Sequence, residues 1–199
     1  NGHDGPHYLL EKFKVSYGPS GAGLCLLKQR PQSLRLAKDL LAFGAPLSGE
    51  PAKSADSSER SLADIWREFY LDRGAVLSPL PFSKTEVLNV AKHFSPLMED
   101  VFLGDEASEA TVKRLPLEEY RIVHFACHGI LDDRHPFRSA LVLSPGNSQE
   151  EDGYLQVREI YNMKMAAELV VLSACQSGIG SFEQGEGFIG LARSFFQAG

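Results

Sequence analysis

Cysteine is scarce in this chain: three occur in 199 residues, at positions 25, 127 and 175. They form neither a CxxC pair nor an evenly spaced framework, which argues against a disulfide scaffold and suits a reducing cytoplasm. Long hydrophobic runs are missing as well. No stretch approaches the roughly 18 apolar residues of a membrane span, and the opening "NGHDGPHYLL" has no charged region leading into an apolar core. An initiating Met is also absent, so the chain is expected to be a piece of a longer protein. Basic clusters are lacking too: 20 Lys and Arg are scattered among 26 Asp and Glu, for a formal charge of -6 and a pI near 5.5. That distribution gives no phosphate footprint for nucleic acid. What the chain does have is 43% hydrophobic and 10% aromatic residues, enough to bury the core of a single domain.

Strand and helix signals alternate along the chain. "KFKVSYGPS" alternates around Phe13, Val15 and Tyr17 before a turn, whereas "AKDLLAFGAP" could be a short buried strand or a helix end. Residues 48–60 are polar and Pro-containing and read as a surface loop. "SLADIWREFYL" spaces Leu62, Ile65, Trp66 and Phe69 as one helical face, with Trp66 expected in the core. Ser83 and Glu86 have the spacing of a capping box at the head of a helix whose apolar face is Val87, Val90, Ala91 and Phe94. "EDVFLG" reads as a strand, and "SEATVKRL" as a helix capped by Ser108. "RIVHFAC" and "ELVVLSA" are apolar enough to be central parallel strands covered on both faces. "SALVLS" and "GYLQV" suggest the arms of a hairpin. The last helix presents Phe188, Leu191, Ala192 and Phe195, with Gly199 as its C-cap. The expected class is an α/β layered fold.

Two apolar runs end in a chemically able side chain followed by glycine: "VHFACHG" at His128 and Gly129, and "VVLSACQSG" at Cys175 with Gly178 beyond. At the carboxyl ends of neighbouring parallel strands, an imidazole and a thiol would meet in one crevice. The thiolate could then attack a carbonyl while the imidazole handles protons, and the Gly129 N–H could approach an oxyanion closely. Taken alone, each residue reads more simply as packing; it is the shared layout that favours a pair. Three competing patterns are weaker. His124, Cys127 and His128 have a metal-like spacing, but on a strand Cys127 faces away from the two histidines. "GPSGAG" around Ser20 has Ala22 where a nucleophile elbow needs glycine. "GEGFIG" at 185–190 matches a dinucleotide fingerprint but starts ten residues after the expected strand end at Ala174. No metal or cofactor is called for.

"YRIVHFACHGILDDRHPFRSALVLS", "DGYLQVREIYNMKMAAELVVLSACQSGIG" and "GEGFIGLARSFFQAG" together resemble the CHAT domain, a caspase-like cysteine-peptidase domain often attached to tetratricopeptide repeats. The resemblance extends to the early "YLLEKFKVSYGPS", "LPFSKTEVLNVAKHF" and "FLGDEASEATVKRL", and fails between about residues 45 and 78, where an insertion is expected. It implies a three-layer caspase-like sandwich with a mostly parallel sheet, truncated at both ends. By the same resemblance His128 and Cys175 would be the catalytic pair, and the Gly129 and Cys175 N–H groups the oxyanion donors. The substrate would be a protein, with regulation by attached helical repeats or partners in the cytoplasm. Cys127 stands where the family tends to have a small hydroxyl residue. Ser173 stands where metacaspase-type enzymes carry an acid for basic P1 residues, so selectivity for Arg or Lys is not expected. The alternatives are a catalytically dormant scaffold of the same fold and a dinucleotide-binding α/β domain.

Overall fold

The computed structural model describes residues 36–44, 62–72, 74, 77–146, 150–179 and 186–199, with backbone alone for 62–63, 174–179 and 186–189. All lie within one compact unit, Leu36–Gly199. The expected early strand around Val15, the Ser20 pattern, Cys25 and the 48–60 loop fall outside the described residues.

The fold is mixed α/β, with a six-stranded sheet flanked by helices. In chain order the elements are β1 (Lys38–Gly44), α1 (Leu62–Leu71), α2 (Ser83–Ala91), β2 (Glu99–Leu103), α3 (Glu109–Arg114), β3 (Tyr120–Asp132), β4 (Ala140–Val142), β5 (Tyr154–Gln156), α4 (Val157–Ile160), β6 (Leu169–Ile179) and α5 (Glu186–Ala198). Strands β2, β1, β3 and β6 are neighbours in that order and pair in parallel. Beyond the end of β1, the antiparallel hairpin β4–β5 takes over the same side of β3. The ambiguous "AKDLLAFGAP" is thus a strand, flanked on both sides. Its continuous apolar run is what a strand covered on both faces requires.

The pleat of β3 sends alternate residues into different cores. Val123, Phe125 and Cys127 join the main cluster, which also holds Leu41, Phe43, Val112, Ile160, Leu191 and Phe195. Phe125 stacks on Phe43 at 5.3 Å between centroids and meets Phe195 at 5.8 Å. On the other face Ala126 packs with Leu40, Ala42 and the α2 residues Val87 and Ala91. Further along that face Ile130 joins Tyr70, Ala140, Val142 and Tyr154.

Three local expectations need correction. The capping box does not form: α2 starts on Phe82, which makes no side-chain cap, and the buried Ser83 hydroxyl has no partner among the described residues. Glu86 is diverted because its carboxylate pairs with His124 across the sheet. In α1, Ile65 is 46% exposed, whereas Tyr70, outside the expected apolar face, is fully buried. The helix turns its aromatic side inward because the Tyr70 hydroxyl finds the Arg138 carbonyl at 2.7 Å. Trp66 is half-buried and stacks on Tyr70. Ser108 does cap α3, accepting from the Thr111 N–H at 3.2 Å. Gly199 closes α5 as expected: its φ is +146°, and a Cβ there would fall 1.8 Å from the Met165 carbonyl oxygen. Among the described residues no helix is long and apolar enough to cross a membrane.

Candidate active site

The parallel register of β3 and β6 pairs His128 directly with Cys175. Hydrogen-bonded strands lie about 4.8 Å apart, and paired positions of a parallel ladder share one face of the sheet. His124 and Ala126 on β3, and Val171 and Ser173 on β6, are placed on that same face. The two segments expected to converge are therefore adjacent strands in a matching register. On its other side β3 changes partner at the same level: β1 ends at Gly44 opposite Ala126, and β4 takes over from Val142, its last residue, opposite His128.

The expected strand ends are too early. Both strands continue past the pair, to Asp132 opposite Ile179. The hairpin accounts for this, because β4 supplies backbone partners to residues 128–130 and keeps them extended. Gly129 consequently has a strand on either side, with Leu141 and Gln176 as its register partners. Its N–H points along the sheet toward one of them.

His128 is 3% exposed. Its Nε2 lies 2.6 Å from the Ser78 carbonyl oxygen, and its buried Nδ1 has no partner among the described residues. A carbonyl can only accept, so Nε2 carries the proton and a neutral imidazole leaves the Nδ1 lone pair free. Such a ring can take a proton at Nδ1 while the carbonyl supports the cation that results. The Ser78 carbonyl escapes sequence reading because a main-chain acceptor has no residue-type signature. It also lies in the 45–78 range assigned to an insertion.

The other singled-out residues do different work. Cys127 faces the main core, fully buried, and burial pushes its thiol up to about 12 against a weaker opposing backbone hydrogen bond from Val142. It is a neutral packing residue. His124 shares the His128 face but holds Glu86 at 3.0 Å. Ser173 is half-buried, and no acid occupies its position. In "GEGFIG", Gly187 and Gly190 lie within α5, and the late end of β6 leaves only 180–184, outside the described residues, between strand and fingerprint. The ten-residue gap thus shrinks to five. Gly190 instead approaches the Pro136–Arg138 turn, where a Cβ would sit 3.2 Å from Pro136 Cβ.

Among the described residues one trio of carboxylates could gather around a cation: Glu109, Glu151 and Glu159. Lys113 already fills that place, with Nζ at 2.7 Å from Glu109 and 2.8 Å from Glu159, and paired with Glu151. Burial raises the Glu109 carboxyl to about 7, with Lys113 pulling the other way. Glu109 also accepts from the Asp152 and Gly153 N–H groups at 3.1 and 2.8 Å. The cluster therefore anchors the loop that enters β5, and through the hairpin the strand that flanks His128.

The model of the CHAT domain family matches residues 2–199. No curated protein and no solved structure matches the chain.

Proposed function

Because the chain belongs to the CHAT domain family, a caspase-like group, we propose that it is a cysteine endopeptidase that hydrolyses peptide bonds in protein substrates with His128 and Cys175. One observation carries the reading: the register sets Cys175 beside a histidine whose Nε2 is committed to a carbonyl and whose Nδ1 has no partner among the described residues. In the proposed reaction Nδ1 takes the Cys175 thiol proton, and the thiolate bonds to the scissile carbonyl carbon. The carbonyl π electrons pass to oxygen, where the Gly129 and Cys175 N–H groups would receive the charge. The imidazolium then protonates the leaving amine as the C–N bond breaks, leaving a thioester. Water, deprotonated at Nδ1, hydrolyses it and regenerates the thiol. The proposal extends to a caspase-like three-layer sandwich, with the whole chain as one partial domain of that kind. With Ser173 in place of an acid, the enzyme is proposed to lack selectivity for Arg or Lys at P1.

A second reading, a dormant scaffold of the same fold, draws on the pairing beyond the dyad. The ladder runs on to Asp132 opposite Ile179, so the Gly129 N–H belongs to the sheet. A peptidase would have to part β3 and β6 there before an oxyanion could bind. Docked tetratricopeptide repeats or another partner would be the agent. Comparing cleavage sites in a proteome exposed to the full-length protein and to its Cys175→Ala and His128→Ala variants decides between the readings. Loss of a defined set of cuts in both variants supports the peptidase. Equal cutting by Cys175→Ala sinks the dyad, and a wild type inert even with its repeats and partner present favours the scaffold.

A further inference from the structure

The hydrogen bond that orients His128 comes from a segment with no secondary structure of its own. Residues 77–80 lie between α1 and α2, and among the described residues the Ser78 carbonyl is what meets the imidazole. Something must hold that carbonyl still. Leu77, next to it, packs against the cluster of Tyr70, Ile130, Ala140, Val142 and Tyr154. Ile130 belongs to the same strand and face as His128, two residues on. One cluster therefore grips both ends of the hydrogen bond, the strand through Ile130 and the connecting segment through Leu77.

Tyr70 ties this cluster to the hairpin. It is fully buried, its ring lies 4.9 Å from that of Tyr154, and its hydroxyl donates to the Arg138 carbonyl at 2.7 Å. The sequence stiffens the segment further. Pro79 keeps Ser78 out of the helical region, and Pro79 and Pro81 fix φ at their own positions. The Leu80 carbonyl then accepts the Ser83 N–H at 3.2 Å, joining the segment to α2.

We propose that Leu77 and Tyr70 are positioning residues: with the Ser78–Pro79 backbone they form a bracket that selects the His128 tautomer with Nδ1 bare. The proposal deepens the peptidase reading of this site and rests on it for its functional meaning. Residues 77–81, the first two of which fall within the expected insertion, then belong to the machinery together with Tyr70. Displacing α1 would switch the imidazole without touching either member of the dyad.

Long-range proton–nitrogen spectra of the chain labelled with 15N-histidine test this without relying on cleavage. Wild type at alkaline pH should show His128 as a single Nε2–H tautomer. Leu77→Ala should lower that preference by about tenfold, the effect of weakening one buried hydrogen bond, and Leu77→Met should restore it. Leu77→Ala with an unchanged unfolding transition and the wild-type tautomer would overturn the bracket. Should Leu77→Ala fail to fold, Tyr70→Phe carries the test: a shifted tautomer supports the bracket and an unshifted one overturns it. Wild type that shows the expected tautomer response but cleaves nothing would remove the peptidase reading and leave the bracket standing.

Discussion

Replacing Lys113 with Met should destabilise the fold in a pH-dependent way whose sign follows from Glu109. The Glu109 side chain is 1% exposed and Lys113 is 29% exposed, so the carboxylate carries most of the desolvation. Burial has raised its carboxyl from 4.5 to about 7. A carboxyl that binds its proton more tightly folded than unfolded contributes stability that is fully present below the unfolded value and lost as pH climbs through the folded one. Asp152, raised by burial as well, adds to the slope in wild type and variant alike. Burial acts to lower Lys113, but the hydrogen bonds it donates to three carboxylates outweigh that and raise it, so its charge stays constant across pH 5–9. Met keeps the apolar stem and removes the ammonium. At pH 5 Glu109 is protonated in the folded chain, and the loss should be about 0.5 kcal/mol, from the outer pairs alone. At pH 8 the buried carboxylate has lost its cation, and the loss should reach about 2 kcal/mol, reduced from the full cost of a broken buried pair because water reaches Lys113. Urea unfolding at pH 5, 6.5 and 8 measures both. Glu109→Gln should flatten the wild-type slope. An equal loss from Lys113→Met at pH 5 and 8 would refute the reasoning.

Other outcomes follow from packing and backbone. Phe125→Ala, removing a ring held between Phe43 and Phe195, should cost about 3–5 kcal/mol in urea unfolding; a loss below about 1 kcal/mol would contradict the central placement of β3. Gly153→Ala should cost about 2–3 kcal/mol, since φ is +83° and the new Cβ would press on the Pro145 backbone at 3.1 Å. Gly74→Ala, at φ +88° but in open space, should cost only about 1 kcal/mol, and equal costs at the two sites would exclude the steric contribution. A peptide library exposed to the full-length protein should show no enrichment of Arg or Lys at P1 among its cleaved members, and strong enrichment would refute the inference from Ser173.

Much of the fold was legible because its signals are local. The apolar runs of β3 and β6 announced central parallel strands, and Ser108 caps its helix through the Thr111 N–H three residues on. Where expectations failed, a distant group had intervened. Glu86 has the spacing of a cap but is taken by His124, whose position on β3 no local window contains. Tyr70 ends an aromatic-rich helix, and its burial depends on a carbonyl 68 residues away. Strands β3 and β6 looked finished at His128 and Cys175 because glycine and polar residues follow, yet pairing with β4 carries β3 onward. The site was half legible: imidazole and thiol are visible as residue types, while the Ser78 carbonyl that sets the tautomer is visible only in three dimensions.

The central claim, that His128 activates Cys175, is met most directly by the pH dependence of Cys175 alkylation. Iodoacetamide labelling of the full-length protein, read residue by residue with mass spectrometry, compares wild type with His128→Ala. Cys127 is the internal control, since burial holds its thiol near 12 and it should stay unlabelled while the fold persists. The account predicts that Cys175 reacts as a thiolate well below the ordinary thiol value of about 8.5, and that His128→Ala returns it to that value. A Cys175 that titrates as an ordinary thiol in both proteins would contradict it.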